Sequence, residues 1–186
     1  MRPNGAILAN PQALAAVSLR KVYTGRPELG TPADPDTWLT PRYILDCLGS
    51  FDLDPCAAEQ NPTWTGARNF YTKPDNGLVS PWHGRVFMNP PFSNTVPWIE
   101  KHAEHGIGIS LVPSTLESKT WRAQVWKRAK AILILHGRTR FCNPDGSSTT
   151  GRPLRPVALI AWDEDSAQTL EKSPLAGVLL RNWAQR

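Results

Sequence analysis

The sequence predicts an α/β fold: one domain on a mostly parallel sheet, helices on both faces, and an antiparallel hairpin near the C-terminus. Three observations predict it. Apolar runs of strand length recur at 85–88, 107–113 and 131–135, as expected for strands buried on both faces. Segments of helical period lie between them, giving the alternation of a doubly wound sheet. Two apolar runs break off sharply, at Asp54-Pro55 and at Asn89-Pro90-Pro91, where such a sheet binds ligands beyond the carboxyl ends of its strands.

The elements follow in chain order. Residues 1–36 mix Pro and Gly with one modest apolar run and predict a flexible arm, leaving residues 37–186 as the domain. With 186 residues, the chain has enough length for one core and little room for a second module. In "TPRYILDCLG", Thr40 is placed to cap a helix of about two turns, Pro41 suits its first position, and Gly49 stops it. "FDLDPCA" predicts a short strand over Phe51–Asp54, which Pro55 forces to end. Residues 58–84 are irregular, with turns at "NPT", "KPDNG" and "SPWHG" and with Trp64 and Trp82 as loop anchors.

A buried strand over Arg85–Met88 precedes a helix through Trp98, Ile99 and Ala103, capped by Ser93 or Asn94. Strand 107–113, a helix from Ser118 to Lys130 and strand 131–135 complete the alternation. "RTRFCNPDGSSTTGRPLRPVALIAW" predicts two strands joined by a polar turn, a hairpin adding antiparallel edge strands. The C-terminal "SPLAGVLLRNWAQR" has no clear assignment.

The formal charge of +5 suits an anionic partner, although no block of basic residues occurs. No apolar run approaches the ~20 residues of a membrane span, and the N-terminus lacks the apolar core of a secretion signal, so a cytoplasmic protein is expected. Cys47, Cys56 and Cys142 are too far apart for a zinc site and are expected as reduced thiols. The four histidines lie in no metal-ligand pattern, so no metal is expected.

The stretch "VFMNPPFSN" carries the chemistry. As plain structure it is a turn, because prolines stop strands and asparagine tolerates turn geometry. As a site, Asn89 offers a carbonyl acceptor, and the prolines fix the backbone so that a main-chain carbonyl shares the same space. Two converging acceptors suit a planar amine, whose nitrogen becomes more nucleophilic when both hydrogens are accepted. Phe92 can stack on the ring that bears it.

Asn89-Pro90-Pro91-Phe92 resembles the (D/N/S)-P-P-(Y/F/W) motif of amino-group methyltransferases that use S-adenosylmethionine. Its surroundings are Trp38-x-Thr40-Pro41, Asp52-Leu53-Asp54-Pro55-Cys56-Ala57 and Asp75-x-Gly77-Leu78 with Trp82. In that order they resemble the Dam-like DNA adenine methyltransferases of phages and prophages, over about residues 38–135 and more weakly to 162.

The resemblance implies a Rossmann-like methyltransferase fold, S-adenosylmethionine as cofactor, and methylation of the 6-amino group of adenine in double-stranded DNA. It implies that Asn89 and the Pro90 carbonyl accept from the target amine, with Pro91 rigidifying the loop and Phe92 stacking on a flipped-out base. Asp54, with Pro55, Cys56 and Ala57, occupies the cofactor-loop position facing the methionine part. Thr40 and Pro41 match the motif closing over that same end, and Asp75 the acid beside the cofactor's adenine. One departure stands out: Asp54-Pro55 is followed by Cys-Ala-Ala-Glu-Gln-Asn, without the Gly-x-Gly of many methyltransferases.

Plainer roles remain open beside these. Asp52 and Asp54 can be solvated or cap neighbours, Asp75 is a good turn acid, and Thr40 can simply cap its helix. Arg140, Arg152 and Arg155 are candidate DNA contacts or a solvated loop. Two alternatives also remain: methylation of another planar amine, on cytosine, RNA or protein glutamine, and a non-catalytic DNA-binding protein on a degenerate methyltransferase fold.

Overall fold

The computed structural model describes residues 36–149 and 155–183, so the arm up to residue 35 and Arg152 lie outside the described residues. Seven strands form one sheet in the order β2-β1-β3-β4-β6-β5-β7. They are β1 (Leu53–Asp54), β2 (Asn69–Phe70), β3 (Val86–Met88), β4 (Gly108–Pro113), β5 (Ala131–Leu135), β6 (Val157–Ala161) and β7 (Gly177–Leu180). The first four are parallel, whereas β6 runs antiparallel to both β4 and β5, and β7 antiparallel to β5.

Both faces are covered, as the continuous apolar runs require. On one face Phe87, Ile109, Leu111 and Leu159 pack with Ile44, Leu45 and Leu48 around α1 (Arg42–Leu45) and with Ala167 and Leu170 of α4 (Glu164–Lys172). On the other, Val86, Met88, Ile132 and Ile160 meet Trp98, Ile99 and Ala103 of α2 (Val96–His105) and Trp121 and Val125 of a π-helical turn, Trp121–Val125. That turn continues into α3 (Trp126–Arg128). The period-two alternation of β3 thus feeds two cores from three residues.

One buried polar chain is fully paired within the second core. Trp162 Nε1 donates to Ser110 Oγ at 2.8 Å, Ser110 Oγ lies 2.8 Å from His102 Nδ1, and His102 Nε2 lies 3.1 Å from the Ile107 carbonyl. The carbonyl requires the proton on Nε2, leaving Nδ1 to accept. Burial pushes this imidazole down to about 3, so it stays neutral.

Several expectations change. Helix α1 is one turn long with Pro41 at its N-cap, and Thr40 caps nothing. Helix α2 starts at Val96, with Thr95 at its N-cap and no side-chain cap; Ser93 is engaged elsewhere, and Pro97 sits in the first turn, where no backbone donor is needed. The expected hairpin takes another form. Its first arm is reduced to bridges from Cys142 to Leu39 and Ser148, since polar and Gly/Pro-rich residues follow it and cannot be buried in a ladder. The wholly apolar β6 instead enters the sheet between β4 and β5, and the antiparallel edge is β7. Helix α4 is capped by Asp163, which accepts from Ser166 N at 2.8 Å.

The topology locates the site. From β1 the sheet grows one way to β2 and the other way to β3 and β4, so strand order reverses between β1 and β3. Their carboxyl ends, Asp54 and Met88, open on the crevice that such a reversal leaves.

Candidate active site

A cleft of about 540 Å³ occupies that crevice. Its walls are the chain after β1 (Pro55 to Gln60), the turn around Thr72 to Gly77, the loop after β3 (Asn89, Pro91, Asn94), and Asp36 to Trp38. Beneath it lies a recess of about 20 Å³ reached past Trp38, Cys56, Ala57 and Asn89, and lined also by Thr40, Asp54 and Thr65.

Segment 36–40 acts as a strap across the loop after β3. Asn89 Nδ2 donates to the Trp38 carbonyl at 2.8 Å. Ser93 donates from its backbone N to Asp36 Oδ1 at 3.3 Å and from its hydroxyl to Asp36 Oδ2. Leu39 and Cys142 exchange backbone hydrogen bonds of 3.0 and 2.9 Å, which tie the strap to the loop after β5. Trp64 Nε1 holds the Thr40 carbonyl at 2.7 Å.

The bond to Trp38 decides the orientation of Asn89, because only the NH2 end of an amide can face a carbonyl. Its Oδ1 is therefore left as an acceptor. Among the described residues nothing donates to Asn89 Oδ1 or to the Pro90 carbonyl. Pro91 holds a turn by accepting from Asn94 N at 3.1 Å. Phe92 is half-buried and meets Phe141 edge-on, with centroids 5.5 Å apart and an interplanar angle of 89°, so its ring lies beside the cleft rather than on its wall.

Asp54 is the electrostatic centre of the recess. It is only 4 % exposed, and burial pushes its carboxyl up to about 6, although Cys56 N donates to Oδ1 at 3.1 Å and Thr65 Oγ1 to Oδ2 at 3.0 Å. It makes no ion pair among the described residues. The Cys56 thiol is pushed well above its usual range by burial and by Asp54, and the Asn89 backbone N–H faces its sulfur. Such a thiol is protonated and no nucleophile. Thr40 is 2 % exposed, and its hydroxyl has no partner.

The two walls of the cleft meet closely at Gly77. A Cβ on Gly77 would lie 2.0 Å from the Pro55 carbonyl oxygen, so only glycine allows this approach. Lys101 of α2 locks this wall, its Nζ donating to the carbonyls of Gly77, Leu78 and Ser80 at 3.0, 2.7 and 2.6 Å. Trp82 Nε1 adds a bond to the Gly77 carbonyl at 2.8 Å. Gly77→Ala is expected to part the two walls and weaken ligand binding at least about ten-fold, because overpacking against backbone costs ~1–3 kcal/mol. Calorimetric titration with S-adenosylmethionine, beside a thermal melt, checks this.

Asp75 serves that turn as well. Its carboxylate accepts from Thr72 N and Oγ1, each at 2.8 Å, in a capping box, and those bonds hold it below the usual range. The carboxylate is not on the cleft wall, whereas Thr72, Lys73 and Asn76 are. Asp52 is likewise structural, bonded by Arg68 NH1 at 3.1 Å and Arg85 N at 2.8 Å. Arg140 and Arg155 are exposed at either end of the loop between β5 and β6. The described cysteines are free thiols, and among the described residues no His, Cys, Asp or Glu group could hold a metal ion. No helix among them is long and apolar enough to cross a membrane.

The family model for DNA N-6-adenine-methyltransferase (Dam) matches residues 30–172. The chain belongs to this family. The matched span takes in the strap, both walls of the cleft and α4, and leaves out β7. A DNA N-6-adenine-methyltransferase of Haemophilus phage HP1 is 30% identical over 142 residues, covering 70% of this chain and 80% of that protein. No solved structure matches the chain. Dam membership makes the chain an adenine-specific DNA methyltransferase.

Sequence reasoning missed Asp36, Thr65 and Lys101. Asp36 and Thr65 sit in segments without periodicity, while Lys101 follows Trp98 and Ile99 on α2 and reads as an ordinary solvated lysine.

Proposed function

We propose that this Dam-family chain methylates the exocyclic 6-amino group of adenine in double-stranded DNA, using S-adenosylmethionine and direct transfer to a flipped-out base, on a Rossmann-like methyltransferase fold. One observation carries the proposal: the Trp38 carbonyl fixes the Asn89 amide on the cleft wall with Oδ1 left as an acceptor.

The residues of the recess fit the cofactor. An unpaired buried carboxylate is costly unless a cation reaches it, and an unpartnered buried hydroxyl asks for an acceptor. The α-ammonium and α-carboxylate of a methionine moiety answer Asp54 and Thr40 respectively. Pro55, Cys56 and Ala57 shape the entrance, Thr72, Lys73 and Asn76 form the far wall, and Pro41 acts behind Thr40, where it is the N-cap of α1. Asp75 supports that wall by holding Thr72. When bound, the cofactor supplies an electrophilic methyl on a sulfonium.

The chain's own residues prepare the other reactant. Asn89 Oδ1 and the Pro90 carbonyl accept the two amine hydrogens, which localises the nitrogen's electron pair for in-line attack. A nitrogen–carbon bond forms as the carbon–sulfur bond breaks, and the surplus proton passes to solvent. No covalent enzyme intermediate is required, in keeping with the protonated Cys56 thiol. An amine engaged in a base pair cannot be reached, so the base leaves the stack. Phe92, edge-on to Phe141 at the side of the cleft, would have to turn toward the extruded base to stack on it, and Arg140, Arg152 and Arg155 are candidate phosphate contacts.

The deciding experiment is transfer of labelled methyl from S-adenosylmethionine to unmethylated DNA, followed by nucleoside analysis. Label in N6-methyladenine is the expected result; label in 4-methylcytosine, or none with intact protein, overturns the proposal. Phe92→Ala is expected to cut the rise in 2-aminopurine fluorescence on DNA binding several-fold, because base–aromatic stacking is worth ~1–3 kcal/mol. An unchanged rise removes Phe92 from base stacking.

A further inference from the structure

Asp54 is placed at the end of β1 by the strand itself, but β1 does not orient its carboxylate. Three donors bear on it. Two belong to Cys56, two residues on: its thiol, and its backbone N, which any residue but proline would supply. The third is Thr65 Oγ1, eleven residues on, in a stretch with no regular structure. Thr65 is held there by its surroundings: Trp64 is fastened to the Thr40 carbonyl at 2.7 Å, its backbone carbonyl accepts from Arg42 at 2.6 Å, and Gly146 packs on its ring. Both Thr40 and Thr65 line the recess with Asp54.

We propose that Thr65 is a positioning residue for cofactor binding: its hydroxyl holds the Asp54 carboxylate toward the recess and keeps it in the charged form that receives a cationic amino-acid end. The inference rests on the reading of the recess as the site for the methionine part of S-adenosylmethionine.

The chemistry follows from a one-sided hydrogen bond. The Thr65 hydroxyl donates to Oδ2 and so favours the carboxylate over the acid, against the desolvation that pushes the group the other way. The titratable group facing Asp54 among the described residues is the Cys56 thiol, which stays neutral throughout the range of interest. Among the described residues no cation lines the recess to do the same work. With the hydroxyl removed, Asp54 takes up its proton at higher pH, and the affinity for a cationic ligand falls off at higher pH with it. The second effect is geometric, since Oδ2 loses the bond that fixes its rotation about χ2.

The test measures dissociation constants for S-adenosylmethionine by calorimetry from pH 5 to 8, for the full chain and for Thr65→Val, Thr65→Ser and Asp54→Asn. The carboxyl of Asp54 is followed by carbon-13 NMR in the ligand-free protein. The expected results are weakening of about ten-fold at pH 7 for Thr65→Val, a rise in the Asp54 midpoint from about 6, and recovery of both in Thr65→Ser. Thr65→Ala is read in the same way if the valine variant does not fold. Wild-type affinity and midpoint in Thr65→Val, or a serine variant as impaired as valine, overturns the role of Thr65. If instead Asp54→Asn binds with wild-type affinity and pH dependence, the recess does not hold the amino-acid end, and it is the underlying reading that fails.

Discussion

Asn89→Ala is expected to lower methyl transfer about a thousand-fold, in the range of losing a preorganised polar group aimed at a reacting centre. The substitution removes one of the two acceptors for the target amine and the bond that anchors the Trp38 carbonyl. Cofactor affinity should change by less than about three-fold, because Asp54, Thr65 and Thr40 lie in the recess below and the Asn89 backbone N–H facing Cys56 is retained. The loss should therefore lie in kcat. Asn89→Asp is a sharper probe: it keeps the shape and an acceptor, but its carboxylate cannot donate to Trp38. Single-turnover transfer with saturating cofactor, alongside calorimetry, separates the two effects. Retained turnover in Asn89→Ala removes the asparagine from the chemistry.

Asp54→Asn is expected to weaken S-adenosylmethionine binding about a hundred-fold, since removing one partner of a buried charge pair costs ~2–5 kcal/mol. The same change should stabilise the ligand-free protein. Burial holds this carboxyl at about 6 against an ordinary 3.8, so the folded state binds its proton more tightly than the unfolded state does. The stability this group contributes is present below pH 3.8, is lost as pH rises through about 6, and at pH 7 leaves a cost on the order of 2–3 kcal/mol. An uncharged amide escapes that cost. Thermal melts at pH 7 without ligand should show a higher midpoint for Asp54→Asn, while the stabilising shift on adding S-adenosylmethionine disappears. For the wild-type protein, affinity should fall as pH drops through about 6, where the carboxylate is lost. A variant that binds normally and melts lower contradicts both halves. A group kept at a cost to the fold is a common mark of a binding site.

The strands β3, β4 and β5 were legible because they are nearly continuous apolar runs: Val86–Met88, Gly108–Pro113 and Ala131–Leu135 are each buried almost throughout. The abrupt ends of β1 and β3 were legible for the complementary reason, that a buried strand stopped by Asp-Pro or Asn-Pro-Pro is unusual. Strand order was not. Nothing local in "VALIA" distinguishes an internal antiparallel strand from an edge, and its place between β4 and β5 follows from pairing across the whole chain. Helix α4 went unassigned although Asp163 caps it, because its polar face dominates a short segment.

At the crevice, the places of Asp54 and Asn89 at the ends of β1 and β3 could be read from the sequence, but not what holds them. Trp38 reaches Asn89 across 51 residues and Asp36 reaches Ser93 across 57, with no periodicity to announce either contact. Thr40 had the pattern of a helix cap, yet Pro41 takes that place and leaves the hydroxyl buried without a partner. Asp75 followed its plainer signal, an acid in a turn. The close packing of Gly77 on the Pro55 carbonyl was not legible either, because the two lie on different loops.

A crystal structure of the protein with S-adenosylhomocysteine bound tests the central claim most directly. The amino-acid end is expected beside Asp54 and Thr40, the sulfur facing the mouth of the recess, and Asn89 still donating to Trp38 with Oδ1 turned toward the open cleft. A ligand seated away from the β1/β3 reversal, or an Asn89 amide presenting its NH2 to the cleft, would contradict it.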